Sequence, residues 1–151
     1  WWMLRSRRYI VLRNLIVQTP SAIIHLGLVV VSTRGLFIVE PLDAGIAHDL
    51  GTTDWTQRAT ELSAANDDPV SRCEHQAQEL AELLEENRSF VSPVLVTVGG
   101  LPAERPANVV HGAALVDYIR SYRVEVFSHR RLEQIVTQIS AHAPAQLQAA
   151  A

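Results

Sequence analysis

At 151 residues, with 48% hydrophobic and 19% charged side chains, the chain has the composition of one globular domain rather than a disordered segment. A formal net charge of −3 gives no general electrostatic attraction to nucleic acid or membrane. The single cysteine, Cys73, excludes an internal disulfide and a multi-cysteine zinc site, and fits a reducing, cytoplasmic setting.

The chain begins Trp1-Trp2-Met3-Leu4, and Arg5, Arg7, Arg8 and Arg13 are interleaved with Trp1, Trp2 and Tyr9. Residues 1–8 therefore read as a basic and aromatic segment able to touch phosphates and stack on bases, or to hold a protein partner or a second copy. A start on Trp reads as a fragment or a processed chain, and no apolar stretch with a cleavage site follows. Residues 9–140 read as one domain. Tyr9 to Val17 is a first strand, ended by Pro20, which has no amide hydrogen for a ladder. Ile23–Val31 and Leu36–Leu42 are the second and third strands, joined at Ser32-Thr33-Arg34-Gly35 as a tight antiparallel hairpin. Their apolar runs lack polar alternation, which suits strands buried on both faces. The longest apolar stretch, Ala22–Val31, is about half the roughly 20 residues a membrane span needs, so none is expected.

Asp43 to Asn66 reads as a long loop, with a short helix near Thr56–Ala64 and Trp55 as a packing anchor. The clearest helix follows. Asp67 or Asp68 caps it, Pro69 occupies its first position, and Val70, Cys73, Ala77, Leu80 and Leu84 form its buried stripe. Glu74, Glu79, Glu82, Glu85 and Glu86 are expected on its solvated face. Pro93–Val98 is a fourth strand and Val109-Val110 a short edge strand. Leu115 to Tyr122 predicts a helix of about three turns, and Val124–Phe127 a further short strand. Ser128 caps a last helix that buries Leu132, Ile135, Val136 and Ile139. Residues 141–151 read as a frayed Ala/Gln-rich tail. This order predicts an α/β (α+β) domain, a mixed sheet with flanking helices.

Tyr9-Ile-Val-Leu-Arg-Asn-Leu15, Ala22 to Val31 and Ser32-Thr-Arg-Gly-Leu-Phe-Ile-Val-Glu40 together resemble the nuclease-related domain (NERD) family. The opening Asp68-Pro-Val-Ser-Arg72 resembles that family's Asn-Pro-x-x-Gln, with Arg72 at the Gln position. The resemblance implies a restriction-endonuclease-like, PD-(D/E)xK fold. Such a fold binds a divalent metal through an Asp and a Glu and uses a Lys to activate water. Aligned on Gly35, the Glu falls on Glu40, the Asp on Gly27 and the Lys on Leu42. Two of the three positions do not match, and the chain contains no lysine that could substitute from elsewhere. Arginine stays charged at any working pH and is a poor substitute for proton transfer.

Glu40 is the candidate metal ligand, because an acid ending a buried strand is costly unless it is paired, metal-bound or near solvent. Asp43 just past the strand and His25 on the second strand are the candidate additional ligands. No phosphate loop, nucleophile elbow or His-x-x-x-His pair occurs. The expectation is a domain that has lost hydrolysis, takes no cofactor, and acts as a nucleic-acid-binding or assembly module. The alternatives are a nuclease using Mg²⁺ or Mn²⁺ on Glu40 with a non-family ligand, and a structural subunit of a larger complex.

Overall fold

The computed structural model describes residues 8–42, 69–97 and 107–143. Five strands form one sheet in the order β1-β2-β3-β4-β5. They are β1 (Tyr9–Gln18), β2 (Ile23–Ser32), β3 (Gly35–Pro41), β4 (Val91–Thr97) and β5 (Val109–His111). The first three pair antiparallel, while β3 with β4 and β4 with β5 pair parallel. Three helices flank the sheet: α1 (Pro69–Leu84), α2 (Leu115–Arg120) and α3 (His129–His142). The expected mixed sheet with flanking helices is what forms. The short loop helix, Trp55 and the capping Asp67 or Asp68 lie outside the described residues.

Every residue of β3 is buried, as its unbroken apolar run requires of a central strand. Leu36 and Ile38 join one core cluster with Cys73, Leu80 and Leu84 of α1 and Leu132, Ile135 and Ile139 of α3. Phe37 and Val39 join a second cluster with Leu115 and Ile119 of α2. Strand alternation thus feeds both sides of a three-layer domain.

The hairpin turn is tight because Ser32 pairs with Gly35, leaving only Thr33 and Arg34 in the loop. The Ser32 hydroxyl donates to the Gly35 carbonyl at 2.9 Å and accepts from the Arg34 amide at 3.1 Å. Gly35 has φ +138°, and a Cβ there would stand 3.1 Å from the Phe90 carbonyl oxygen. Gly35→Ala is expected to cost about 1–3 kcal/mol, through backbone strain and this close approach together. Urea denaturation measures it, and an unchanged midpoint would refute it.

Four sequence expectations need correction. The helix expected over Leu115–Tyr122 is only the six residues of α2, preceded by a 3-10 turn at Gly112–Ala114. The stretch Val124–Phe127 is no strand. The amides of Val126 and Phe127 both donate to the Thr33 carbonyl, at 2.8 and 2.9 Å, and two donors on one acceptor cannot form a ladder. Helix α3 is capped by Ser128 as expected, but runs on to His142, past the start of the anticipated tail. The fourth concerns Glu79, which was expected on the solvated face. It is only 6% exposed.

The buried face of α1 is wider than its stripe of apolar residues, because the β1–β2 hairpin also lies against it. Gln76 donates to the His25 carbonyl at 2.9 Å. Glu79 accepts from the Thr19 hydroxyl at 2.6 Å and from the Ser21 hydroxyl at 2.7 Å. The remaining acids behave as surface groups: Glu74 pairs with Arg88, and Glu86 with Arg131 at 2.8 Å. Helix α1 ends as Glu85 takes φ +53° and the Glu86 amide donates back to the Ala81 carbonyl.

Candidate functional site

A local irregularity in the first two strands sets the surroundings of Glu40. On β1, Ile10 and Leu12 pack on the α1 cluster, yet so do Leu15 and Val17. On β2, Ile24 and Leu26 do so, and also Val29 and Val31. An even-numbered series and an odd-numbered series cannot share a face in a regular strand. Both strands therefore slip phase once, β1 between Leu12 and Leu15 and β2 between Leu26 and Val29. Arg13 pairs with Leu28 and Leu15 with Leu26, so the two slips face each other with Asn14 opposite Gly27. Asn14 takes φ +52°, a left-handed conformation that Asn tolerates better than most residues.

The β2–β3 ladder runs from Ser32–Gly35 to Leu28–Val39, and Gly27 and Glu40 are next in register. There the Gly27 amide donates to Glu40 Oε1 at 3.3 Å. The phase slip frees this N–H from the ladder, and the carboxylate receives it. Glu40 follows Leu36 and Ile38 in alternation, which places it on the α1 side of the sheet, and it is only 3% exposed. Leu42 lies just past the strand. Its amide donates to the Val96 carbonyl at 2.8 Å, and its side chain is 36% exposed.

The other candidates are dispersed. His25 lies between Ile24 and Leu26, both of which face α1, so its ring leaves the sheet on the side away from Glu40. Its Nε2 is 2.9 Å from Asn14 Oδ1. The expectation that His25 could join Glu40 on one ion is not met, because the two side chains leave the sheet on opposite sides. Arg72 precedes Cys73 on α1 and is half-buried, with its Nη1 enclosed. Arg8 just before β1 and Arg13 midway along it are exposed, whereas Arg5, Arg7 and Asp43 lie outside the described residues. Among the described residues, no three His, Cys, Asp or Glu side chains converge as a metal-binding group. The Cys73 thiol is buried and points at the Ile38 carbonyl at 3.8 Å, the core position its stripe implied.

Sequence reading missed a firmly held carboxylate, Glu79. Its hydrogen bonds from Thr19 and then Ser21 hold its pKa below the usual carboxylate value, with a smaller push from His75, against a rise caused by burial. Thr19-Pro20-Ser21 offered a faint signal, two hydroxyls flanking a turn, but nothing in the sequence aims them at α1.

Fold and site together define an α/β domain whose central strand ends in a buried carboxylate beside a phase slip. A family model for the nuclease-related domain, NERD, matches residues 2–98, which is more than half of the chain. The chain belongs to that family. No curated protein and no solved structure matches it. None of the helices among the described residues is long and apolar enough to cross a membrane.

Proposed function

We propose that this nuclease-related domain no longer hydrolyses phosphodiesters and serves as a nucleic-acid-binding module. The observation that carries the reading is the company Glu40 keeps: its Oε1 takes the Gly27 amide, at a position where a second carboxylate would be needed. A divalent ion acting on a phosphodiester requires at least two converging anionic ligands and a means of activating water. Among the described residues, Gly27 supplies no side chain, Leu42 neither charge nor proton, and His25 faces the other way. This donor set, among the described residues, does not fit a catalytic Mg²⁺ or Mn²⁺. The restriction-endonuclease-like core remains the natural frame for a strand ending in Glu40 beside a Gly-turned hairpin. The exposed Arg8 and Arg13 support contact with phosphates, of a kind that weakens steeply with added salt.

A cleavage assay on single- and double-stranded DNA with Mg²⁺ or Mn²⁺ tests the proposal. The native chain and Glu40→Gln are expected to match the enzyme-free blank, while both still retard DNA at low salt. Cleavage by the native chain that Glu40→Gln abolishes would overturn the loss of hydrolysis. Absence of any DNA retardation would overturn the binding role.

A further inference from the structure

At the far end of β3 from Glu40 the hairpin turn forms part of a second concavity. Gly35 and Glu40 are five positions apart on β3, so the two places are separated by about 17 Å along the strand. The concavity measures about 310 Å³, and its walls include Arg34, Phe90, Ser92, Tyr122 and Arg123. These residues come from the turn, from the approach to and first residues of β4, and from the segment after α2. None of them belongs to the Glu40 row.

The walls are fixed in place. Val126 and Phe127 donate to the Thr33 carbonyl, and Arg34 Nη1 donates to the Tyr122 carbonyl at 3.2 Å, tying the segment after α2 to the turn. Tyr122 packs edge-to-face on Phe37 with ring centroids 4.9 Å apart, and Phe90 packs likewise on Phe127 at 5.8 Å. The Tyr122 hydroxyl stands 3.2 Å from that of Tyr118, whose proton is held firmly by burial and by this contact.

The polar groups, by contrast, have capacity to spare. Arg34 spends one guanidinium N–H on Tyr122, leaving the others. Among the described residues the exposed Arg123 side chain and the half-buried Ser92 hydroxyl make no hydrogen bond. Glu125, the nearest acid in sequence, is exposed and is not part of the wall. Two arginines and a serine line the same concavity, and arginine forks are the preferred partners of phosphate oxygens. Partly exposed aromatic rings beside them supply the apolar surface on which a planar base stacks. A volume at the lower limit of ligand pockets suits one small molecule rather than a folded partner.

We propose that this pocket binds a single nucleotide unit, with its phosphate on Arg34, Arg123 and Ser92 and its base against Phe90 and Tyr122. The site stands apart from the reading of Glu40: a domain found to cleave DNA would leave it intact.

The test is a titration of the ¹⁵N-labelled full chain with AMP, with inorganic phosphate and with adenosine, followed by amide chemical shifts. AMP is expected to move the amides of Arg34, Phe90, Ser92 and Arg123 saturably, phosphate to do so more weakly, and adenosine hardly at all. Unmoved amides, or equal affinity for AMP and phosphate, would overturn the nucleotide assignment. Arg123→Glu should weaken AMP roughly tenfold or more, the loss of a charge-assisted bond, while its melting temperature stays that of the native chain. Unchanged AMP affinity in that variant would also overturn it. A 5′-phosphorylated trinucleotide titrated in parallel separates two sources of the same chemistry. Tighter binding than AMP assigns the pocket to a strand end, and equal or weaker binding assigns it to a free nucleotide.

Discussion

Replacing Phe37 by alanine is expected to lower the unfolding free energy by about 3–5 kcal/mol, the range for deleting a buried aromatic side chain. Phe37 lies mid-strand on β3 with no exposed surface, and it belongs to the cluster that α2 covers. Neither face of its surroundings can relax easily. The backbone is held by β2 on one side and β4 on the other, and Tyr122 stands edge-on to the ring. Collapse into the cavity would have to draw on α2, whose six residues give it little independent stability. The loss should appear in urea unfolding as a lower midpoint at unchanged slope. Phe37→Leu should cost much less, since it conserves most of the volume. Because Phe37 fixes Tyr122, Phe37→Leu is also expected to loosen one wall of the nucleotide pocket. A loss below about 1 kcal/mol for the alanine variant would mean that the α2 layer is not packed on β3 as described.

How much of this could be read from the sequence follows from which signals are local. The hairpin was legible because its two apolar runs and the Gly35 turn lie within a dozen residues, and β-branched runs around glycine have few alternative arrangements. Helix α1 was legible from a capped start and a stripe at three- and four-residue spacing. Glu40 was legible as an acid at the end of a buried strand. The phase slip was not: Asn14 and Gly27 look like ordinary interruptions, and only their pairing across β1 and β2 makes one break of two. That hidden slip is why His25 seemed available to Glu40. Glu79 was misread for a related reason. A glutamate among glutamates looks solvated unless one knows that the hairpin lies over that face. The pocket at the turn was also beyond reach, since Arg34 and the Tyr122 carbonyl it bonds are 88 residues apart. Local pattern specifies elements, whereas sites assembled from distant segments depend on packing that no short window contains.

Glu79 therefore yields the second large prediction. Glu79→Ala is expected to cost about 2–4 kcal/mol, from the loss of two hydrogen bonds to a charged, buried acceptor. The cost stays below a full sum because the Thr19 hydroxyl keeps a bond to the Ala22 carbonyl at 2.9 Å, and the exposed Ser21 can turn to water. The same carboxylate gives the fold an acid-sensitive component whose sign is fixed. Its folded pKa lies below the unfolded value because Thr19, then Ser21, bond the ionised form. Its stabilisation is therefore complete above the unfolded-chain value of about 4.3 and is lost as pH falls through the lower folded value. Glu79→Gln keeps an acceptor for one hydroxyl but cannot titrate. Other acids, such as Glu74 with Arg88 and Glu86 with Arg131, titrate in both proteins, so the informative quantity is the difference between the two stability curves. Just above the unfolded value that difference should be at its full size. Below it the native chain should lose its advantage, and the two curves should converge. Curves that stay parallel down to pH 2 would show that the Thr19–Glu79–Ser21 contact does not hold the hairpin to α1.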